Sequence, residues 1–209
     1  MIKAVNHPLF TPLMRFYIDN RIKRSFRTLV LEGTYMPSEE ESVMLLSNHT
    51  GWWDGFWIEQ LVRHRFKRDL RVMVDYNSLL QHKVLRYMGA YGAPRGIHEQ
   101  NEQLVYTLDE LQNPKNCLLL FPQGSLYSLY EEEILFRRGA DYFIKQAPIP
   151  PCILFIYLLV EYGSHPRPSA FVYYERYNPE ISATGSLQDA YGLFRERIAE
   201  NHKLKMNNL

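Results

Sequence analysis

The chain alternates between short apolar runs and longer segments in which apolar residues recur at helical spacing. Runs of strand length occur at residues 28–32, 43–47, 70–75, 117–121, 153–160 and 170–175. Segments with helical periodicity lie before, between and after them, at residues 10–26, 53–65, 77–88, 99–111 and 186–203. This alternation predicts an α/β fold in which helices cover a sheet. No internal repeat, low-complexity tract or linker divides residues 1–209, so we expect a single domain.

The first predicted helix is rich in positive charge. Its apolar positions at Phe10, Met14, Tyr17, Ile18, Ile22 and Phe26 are accompanied by one acidic residue, Asp19, and by the basic residues Arg15, Arg21, Lys23, Arg24 and Arg27. A basic amphipathic helix is typical of peripheral attachment to an anionic membrane, with the apolar stripe in the acyl boundary. It is equally typical of a helix that packs on the core and leaves a basic face in solvent. Both interpretations of residues 1–27 stay open, and residues 28–209 are expected to form the α/β core.

Composition limits the possible partners. The 209 residues carry 24 basic and 23 acidic side chains, a net charge of +1, which excludes the strongly basic surface of a typical nucleic-acid binder. Cys117 and Cys152 both lie in apolar runs, without the spacing of a disulfide framework or a metal site. The longest apolar run, residues 153–160, is far shorter than the roughly 20 residues that span a bilayer. We therefore expect a cytoplasmic protein without a bound metal.

The segment with the clearest chemistry follows the second strand and reads Ser-Asn-His-Thr-Gly-Trp-Trp-Asp, from Ser47 to Asp54. On one continuous helix, His49 and Asp54 would point roughly 140° apart, so a pair must straddle a bend. Asp54 could then accept a hydrogen bond from one imidazole nitrogen and leave the other nitrogen facing a substrate, as in a general base. The alternative is a structural role, in which His49 caps the helix and Asp54 favours its positive N-terminus by ~0.3 to 1 kcal/mol.

This segment resembles the opening motif of the glycerolipid acyltransferase family, in which Asn-His is followed by four residues and then Asp. Further segments resemble that family's later motifs in the same order: Gly-Ala-Tyr-Gly-Ala-Pro-Arg-Gly at 89–96, Phe-Pro-Gln-Gly-Ser at 121–125, Phe-Arg-Arg-Gly-Ala at 136–140 and Ala-Pro-Ile-Pro-Pro at 147–151. The likeness covers about residues 29 to 160. Ordered co-occurrence of several motifs is far more specific than any single motif.

The resemblance implies a mixed, largely parallel sheet covered by helices on both sides. It also implies an O-acyltransferase that uses His49 as the general base and Asp54 as its partner, with no bound cofactor. The acyl donor would be acyl-CoA or acyl-carrier protein, and the acceptor a lysophospholipid or another lipid alcohol at the inner face of a membrane. Residues that would bind the acceptor or the oxyanion are Asn48, Arg95, Gln123, Gly124 and Ser125, and those that would bind donor phosphates are Arg137 and Arg138.

Two positions depart from the family pattern. Gln123 stands where Glu is usual, and Leu126 stands where an arginine is common. If that arginine and Arg95 share a phosphate, this chain would favour an acceptor with less negative charge. Two other functions stay open: a thioesterase-like hydrolase with the same pair of residues, and a non-catalytic lipid-binding protein whose chemistry has decayed. The intact Asn48, His49, Asp54 and Gly124 speak against decay.

Overall fold

A computed structural model of the chain describes residues 1–131, 133–178 and 186–207. Its sheet contains seven strands in the order β1-β7-β6-β2-β5-β3-β4. All neighbouring strands are parallel except β6 and β7, which are antiparallel. The predicted mixed, largely parallel sheet is therefore confirmed. The strands are β1 Thr28–Glu32, β2 Val43–Ser47, β3 Asp69–Met73, β4 Ala90–Tyr91, β5 Asn116–Leu120, β6 Cys152–Glu161 and β7 Ser169–Arg176.

The helices follow the predicted order with two differences. They are α1 Phe10–Ser25, α2 Asp54–Leu61, α3 Tyr76–Gln81, α4 Ile97–Gln112, α5 Gly139–Gln146 and α6 Leu187–Asn207, with a π-helical turn at Val62–Phe66 and a 3-10 helix at Lys83–Met88. The helix predicted at 77–88 is broken at His82, whose φ of −122° and ψ of 57° are not helical. The short helix α5 was not predicted. None of the helices in the described ranges is long and apolar enough to cross a bilayer.

The sheet is buried on both faces, as the continuous apolar sequence of β2 indicates. Val43 and Leu45 face a core layer that includes residues of α1 and α2. Met44 and Leu46 face a second layer, formed with residues of α4, α5 and α6. All five residues of β2 are buried, which places this strand in the centre of the molecule. Its carboxyl end therefore leads the chain out between two layers of helices.

Helix α1 has two apolar faces rather than one. Ile18 and Ile22 are buried against the core, which confirms the packing interpretation for these two positions. Leu9, Leu13 and Phe16 lie on the opposite side, because successive residues turn about 100° around a helix, and they are 75%, 58% and 67% exposed. The single stripe predicted from sequence is wrong, because its positions belong partly to the buried face and partly to the exposed one.

The two cysteines behave as small apolar residues. Both thiols are free and buried. Burial raises the pKa of Cys117 to about 12, so this thiol stays protonated and unreactive near neutral pH. The residues are therefore packing groups, as their sequence context predicted.

Candidate active site

The turn between β2 and α2 begins with a buried asparagine. The Asn48 side chain accepts a hydrogen bond from Leu158 N (2.8 Å) and donates one to Leu158 O (3.1 Å), so it continues the pairing of β2 with β6. Asn48 N donates to the Tyr191 hydroxyl at 2.8 Å. Both halves of the amide thus bind backbone, and a contact of Asn48 with an acceptor or an oxyanion stays a prediction. Its role is to fix the chain immediately before His49.

His49 and Asp54 meet across the bend, as their spacing predicted. His49 Nδ1 lies 2.9 Å from Asp54 Oδ2. The same oxygen accepts hydrogen bonds from Thr50 N (2.6 Å) and Gly51 N (2.9 Å), and the Asp54 side chain is fully buried. Because Oδ2 acts as an acceptor throughout, the hydrogen of the neutral imidazole belongs on Nδ1 and the lone pair on Nε2. In the described part of the chain, no residue forms a hydrogen bond with that Nε2.

The turn after β5 supports the imidazole from the other side. The His49 ring stacks on Phe121, with ring centroids 3.9 Å apart and an angle of 18° between the planes. His49 N donates to Gln123 Oε1 at 2.7 Å, and Tyr127 N donates to His49 O at 2.9 Å. Gln123 is only 3% exposed and holds the backbone of His49, and its contact with the acceptor stays a prediction. Sequence reasoning also missed the stacking role of Phe121, although the motif placed it beside the site.

Gly124 allows this turn to close. Its N–H donates to Phe121 O at 2.9 Å, and its φ of 69° lies in the left-handed region that favours glycine. A Cβ at this position would lie 2.7 Å from Arg137 Cδ, so the glycine also makes room for the arginine side chain. The Gly124 N–H is thus used within the turn, and its contact with an oxyanion stays a prediction. Ser125 N, one residue further, has no acceptor among the described residues.

A cavity of about 910 Å³ opens beside His49 at the carboxyl edge of the parallel strands. This edge is where open α/β sheets usually bind ligands. Its walls combine both core layers, with Leu70 and Met88 from one layer and Leu120 and Phe143 from the other. Its volume is within the range of pockets that bind drug-sized ligands, roughly 300 to 1,000 Å³. A mostly apolar hollow of this size can hold a fatty chain.

The cavity collects some of the predicted site residues and leaves out others. His49, Arg95, Gly124, Ser125 and Arg137 line it, and Asp54 lies directly behind His49.

Arg138 is not among the residues that line the cavity, and its side chain is exposed just before α5, so its contact with a donor stays a prediction. Two residues that the motifs did not indicate, Gln100 and Gln103 of α4, also line the cavity. Gln103 Oε1 accepts a hydrogen bond from Ala93 N at 2.6 Å and so holds the turn that carries Arg95. Their spacing of three residues, which puts both on one face of α4, was the available signal.

The two arginines give the cavity a cationic rim. Arg95 and Arg137 are exposed, and neither forms an ion pair with a described residue. The acidic residue in the lining, Asp75, instead accepts a hydrogen bond from Ser78 N at the start of α3. Planar guanidinium groups without a partner are suited to bind phosphate or carboxylate oxygens. No group of three or more His, Cys, Asp or Glu side chains in the described ranges could hold a metal ion.

Comparison with known proteins gives a family and a similar fold. The family described as Acyltransferase matches residues 6–154, more than half of the chain. A similar solved structure is the 1-acyl-sn-glycerophosphate (LPA) acyltransferase PlsC from Thermotoga maritima, with a TM-score of 0.56 and 13% sequence identity. That match covers 91% of this chain and 79% of the other, and at this identity it shows a shared fold. A comparison with curated protein sequences found no match. The chain belongs to the acyltransferase family.

Proposed function

We propose that the protein transfers a fatty acyl group from a thioester to a hydroxyl of a lipid-like acceptor, with His49 as the general base. The observation that carries this proposal is the contact between His49 Nδ1 and the buried Asp54 carboxylate at 2.9 Å, beside the 910 Å³ cavity. This contact leaves Nε2 available to a bound hydroxyl. Family membership supports acyl transfer as the class of reaction.

In the proposed reaction, Nε2 of His49 takes the proton from the acceptor hydroxyl as that oxygen attacks the thioester carbonyl. Asp54 holds the ring in position and stabilises the imidazolium that forms. The tetrahedral intermediate collapses, the carbon–sulfur bond breaks, and the departing thiolate takes the proton from His49. Ser125 N is the backbone donor suited to the oxyanion, a contact whose loss typically lowers the rate ~100- to 1,000-fold.

The lining of the cavity supports a division of the two substrates. The apolar walls at Leu70, Met88, Leu120 and Phe143 suit an acyl chain, because they remove it from water. Arg95 and Arg137 suit phosphates, either of the acceptor or of an acyl-CoA or acyl-carrier-protein donor. Since Arg137 extends across Gly124, it supplies a cation near the position where Leu126 departs from the family motif. A lysophospholipid therefore remains a suitable acceptor, and lysophosphatidate is the one that the similar Thermotoga maritima protein is named for.

The exposed face of α1 supports attachment to the inner face of a membrane. Leu9, Leu13 and Phe16 would insert into the acyl boundary, while the exposed Lys23 and Arg24 meet anionic headgroups. Phe10 stacks on Tyr87 of the 3-10 helix, with centroids 5.3 Å apart, so α1 lies beside the part of the fold that lines the cavity. A lipid could then reach the site from the membrane surface. The free thiols are compatible with the reducing cytoplasm that this location requires.

A panel of substrates tests the proposal. The purified protein is incubated with palmitoyl-CoA or palmitoyl-carrier protein, together with lysophosphatidate, other lysophospholipids or an uncharged lipid alcohol. We expect palmitoyl ester to form only when a lipid hydroxyl is supplied. Free palmitate released at the same rate with and without lipid would identify a hydrolase, and binding of lipid without any turnover would identify a lipid-binding protein. Either result would overturn the proposed transfer.

A further inference from the structure

The C-terminal helix α6 lies beyond the residues matched by the acyltransferase family, yet it contacts the segments that bound the active site. Gln188 Oε1 accepts a hydrogen bond from Phe136 N at 2.7 Å, one residue before Arg137. Arg195 donates to Glu131 O at 2.7 Å, in the loop that follows the β5 turn. The third contact, made by a tyrosine, reaches the turn that carries His49.

Tyr191 connects α6 to the residue before His49. Its hydroxyl accepts a hydrogen bond from Asn48 N (2.8 Å) and donates one to Ile156 O (2.7 Å). The side chain is fully buried, and burial raises its pKa, so the hydroxyl keeps its proton and can donate and accept at once. The ring packs against Phe155, with centroids 5.2 Å apart, which leaves the hydroxyl little freedom to move.

The position of this hydroxyl matters because β2 ends at Ser47. Beyond that residue, the chain leaves the sheet and turns to present the imidazole. Without the Tyr191 oxygen, Asn48 N and Ile156 O would both lose a hydrogen bond in the interior, and each unsatisfied group typically costs about 1 to 3 kcal/mol. The turn would shift to recover such bonds, and His49 is the next residue along it.

We propose that Tyr191 is a positioning residue for acyl transfer, whose hydroxyl fixes the backbone at Asn48 and thereby places the His49 imidazole at the cavity. This inference rests on the proposed function, in which His49 is the general base. Tyr191 does not line the cavity, so its hydroxyl should affect the rate of the chemical step rather than substrate binding.

The test compares two substitutions that each remove one buried hydroxyl. Tyr191→Phe keeps the ring and loses the contacts to Asn48 and Ile156. Tyr174→Phe is the matched control, since Tyr174 is 4% exposed and donates to Gly33 O at 2.8 Å away from the cavity. Both variants should lose thermal stability, Tyr191→Phe more than Tyr174→Phe, because the first removes two hydrogen bonds and the second removes one. Only Tyr191→Phe should lower kcat for palmitoyl transfer from palmitoyl-CoA to lysophosphatidate, by about 10- to 100-fold with unchanged KM, because small displacements of a catalytic group slow the reaction strongly.

Amide hydrogen exchange tests the same contact without a measurement of enzyme activity. Asn48 N should exchange as slowly as the amides of β2 in the wild type and in Tyr174→Phe, and faster in Tyr191→Phe. Fast exchange of Asn48 N in the wild type would overturn the inference even if Tyr191→Phe failed to fold. A kcat for Tyr191→Phe equal to that of Tyr174→Phe would overturn it while leaving the proposed function intact. Absence of ester formation by the wild type would instead remove the proposed function.

Discussion

The turn between β2 and α2 that holds His49, called the corner below, and the cavity rim that carries Arg95 and Arg137 are built in opposite ways. At the corner, Asp54 accepts two backbone N–H groups besides the imidazole, and the His49 backbone is bonded to the β5 turn through Gln123. At the rim, both arginines are exposed and have no ion pair with a described residue. The fold therefore fixes the proposed reacting groups in advance and leaves the two cations without an ion-pair partner among the described residues.

This difference separates two kinds of effect. A preorganised group lowers the barrier because it needs no rearrangement when charge develops. A free cation gains its partner only when a substrate binds, and so contributes to affinity. Substitutions at the corner should therefore change kcat, and substitutions at the rim should change KM.

The largest effect that we expect among the supporting residues follows Asp54→Asn. The amide cannot stabilise an imidazolium, and it must turn an N–H toward His49 or toward the two backbone donors. We expect kcat to fall by up to about 10,000-fold, the loss seen when the carboxylate of a comparable triad becomes an amide. The measurement is the rate of ester formation, and the control is Asp109→Asn, because Asp109 is exposed. Equal rates for the two variants would show that the corner is structural only.

The rim is tested by Arg95→Gln and Arg137→Gln. Loss of a charge-assisted hydrogen bond costs about 1.5 to 3 kcal/mol, so KM should rise by roughly 10- to 100-fold with little change in kcat. A rise in the KM for lysophosphatidate but not for an uncharged lipid alcohol identifies the arginine that binds the acceptor. A rise in the KM for palmitoyl-CoA identifies the one that binds the donor. Arg138→Gln is the control, and a comparable effect in that variant would contradict the assignment of the rim.

Helix α1 offers the same kind of contrast between its two faces. Leu13 and Phe16 face outward, so the double substitution Leu13→Ser and Phe16→Ser should weaken sedimentation with phosphatidylglycerol vesicles by at least about tenfold and leave the melting temperature unchanged. Val105→Ser is the control, since Val105 is 61% exposed on α4. Ile18→Ser, on the buried face, should lower the melting temperature instead. Unchanged sedimentation of the double variant would place the membrane contact elsewhere.

The smallest effect that we expect concerns the pH dependence of stability at His202 of α6. Burial lowers the pKa of His202. Its Nδ1 contacts the Tyr173 hydroxyl at 2.8 Å, and its Nε2 lies 3.7 Å from the Glu161 carboxylate, beyond hydrogen-bond distance. Lys205 and Glu32 are the other charged groups that act on it.

The unfolded chain takes up a proton on this histidine near pH 6.5, whereas the folded chain resists protonation to lower pH. The stability contributed by neutral His202 is therefore complete above about pH 6.5 and falls as the pH decreases through the lower pKa of the folded state. Melting temperatures measured between about pH 7.5 and pH 5 should fall less steeply for His202→Gln than for the wild type. Parallel curves of melting temperature against pH for the two proteins would show that His202 does not cause this pH dependence.

The local sequence pattern accounts for much of the fold. Strands β1 and β2 agree with the predicted ranges residue for residue, and α1 differs by one residue at its end. These elements show either a clear helical period or a continuous apolar run, and both patterns can be recognised from the spacing of nearby residues. Strand β4 has only two residues and α5 has eight, so neither carries enough positions to show a period.

The site was predicted less completely, because its contacts join distant residues. His49 and Asp54 were predictable, since five positions of sequence and a turn bring them together. The amide of Asn48 binds Leu158, 110 positions away, and Gln123 binds His49, 74 positions away. A motif names such residues but does not say which way their side chains point. The same reason explains why sequence could not separate the buried face of α1 from its exposed face.

The central claim is that the His49 imidazole removes the proton from a lipid hydroxyl. Its most direct test is ester formation from palmitoyl-CoA and the preferred lipid acceptor by His49→Ala, with the melting temperature measured in parallel and with the exposed His64→Ala as a control. The account predicts a folded protein without detectable transfer, whereas His64→Ala keeps the wild-type rate. Transfer by folded His49→Ala at a rate near that of the wild type would contradict the account.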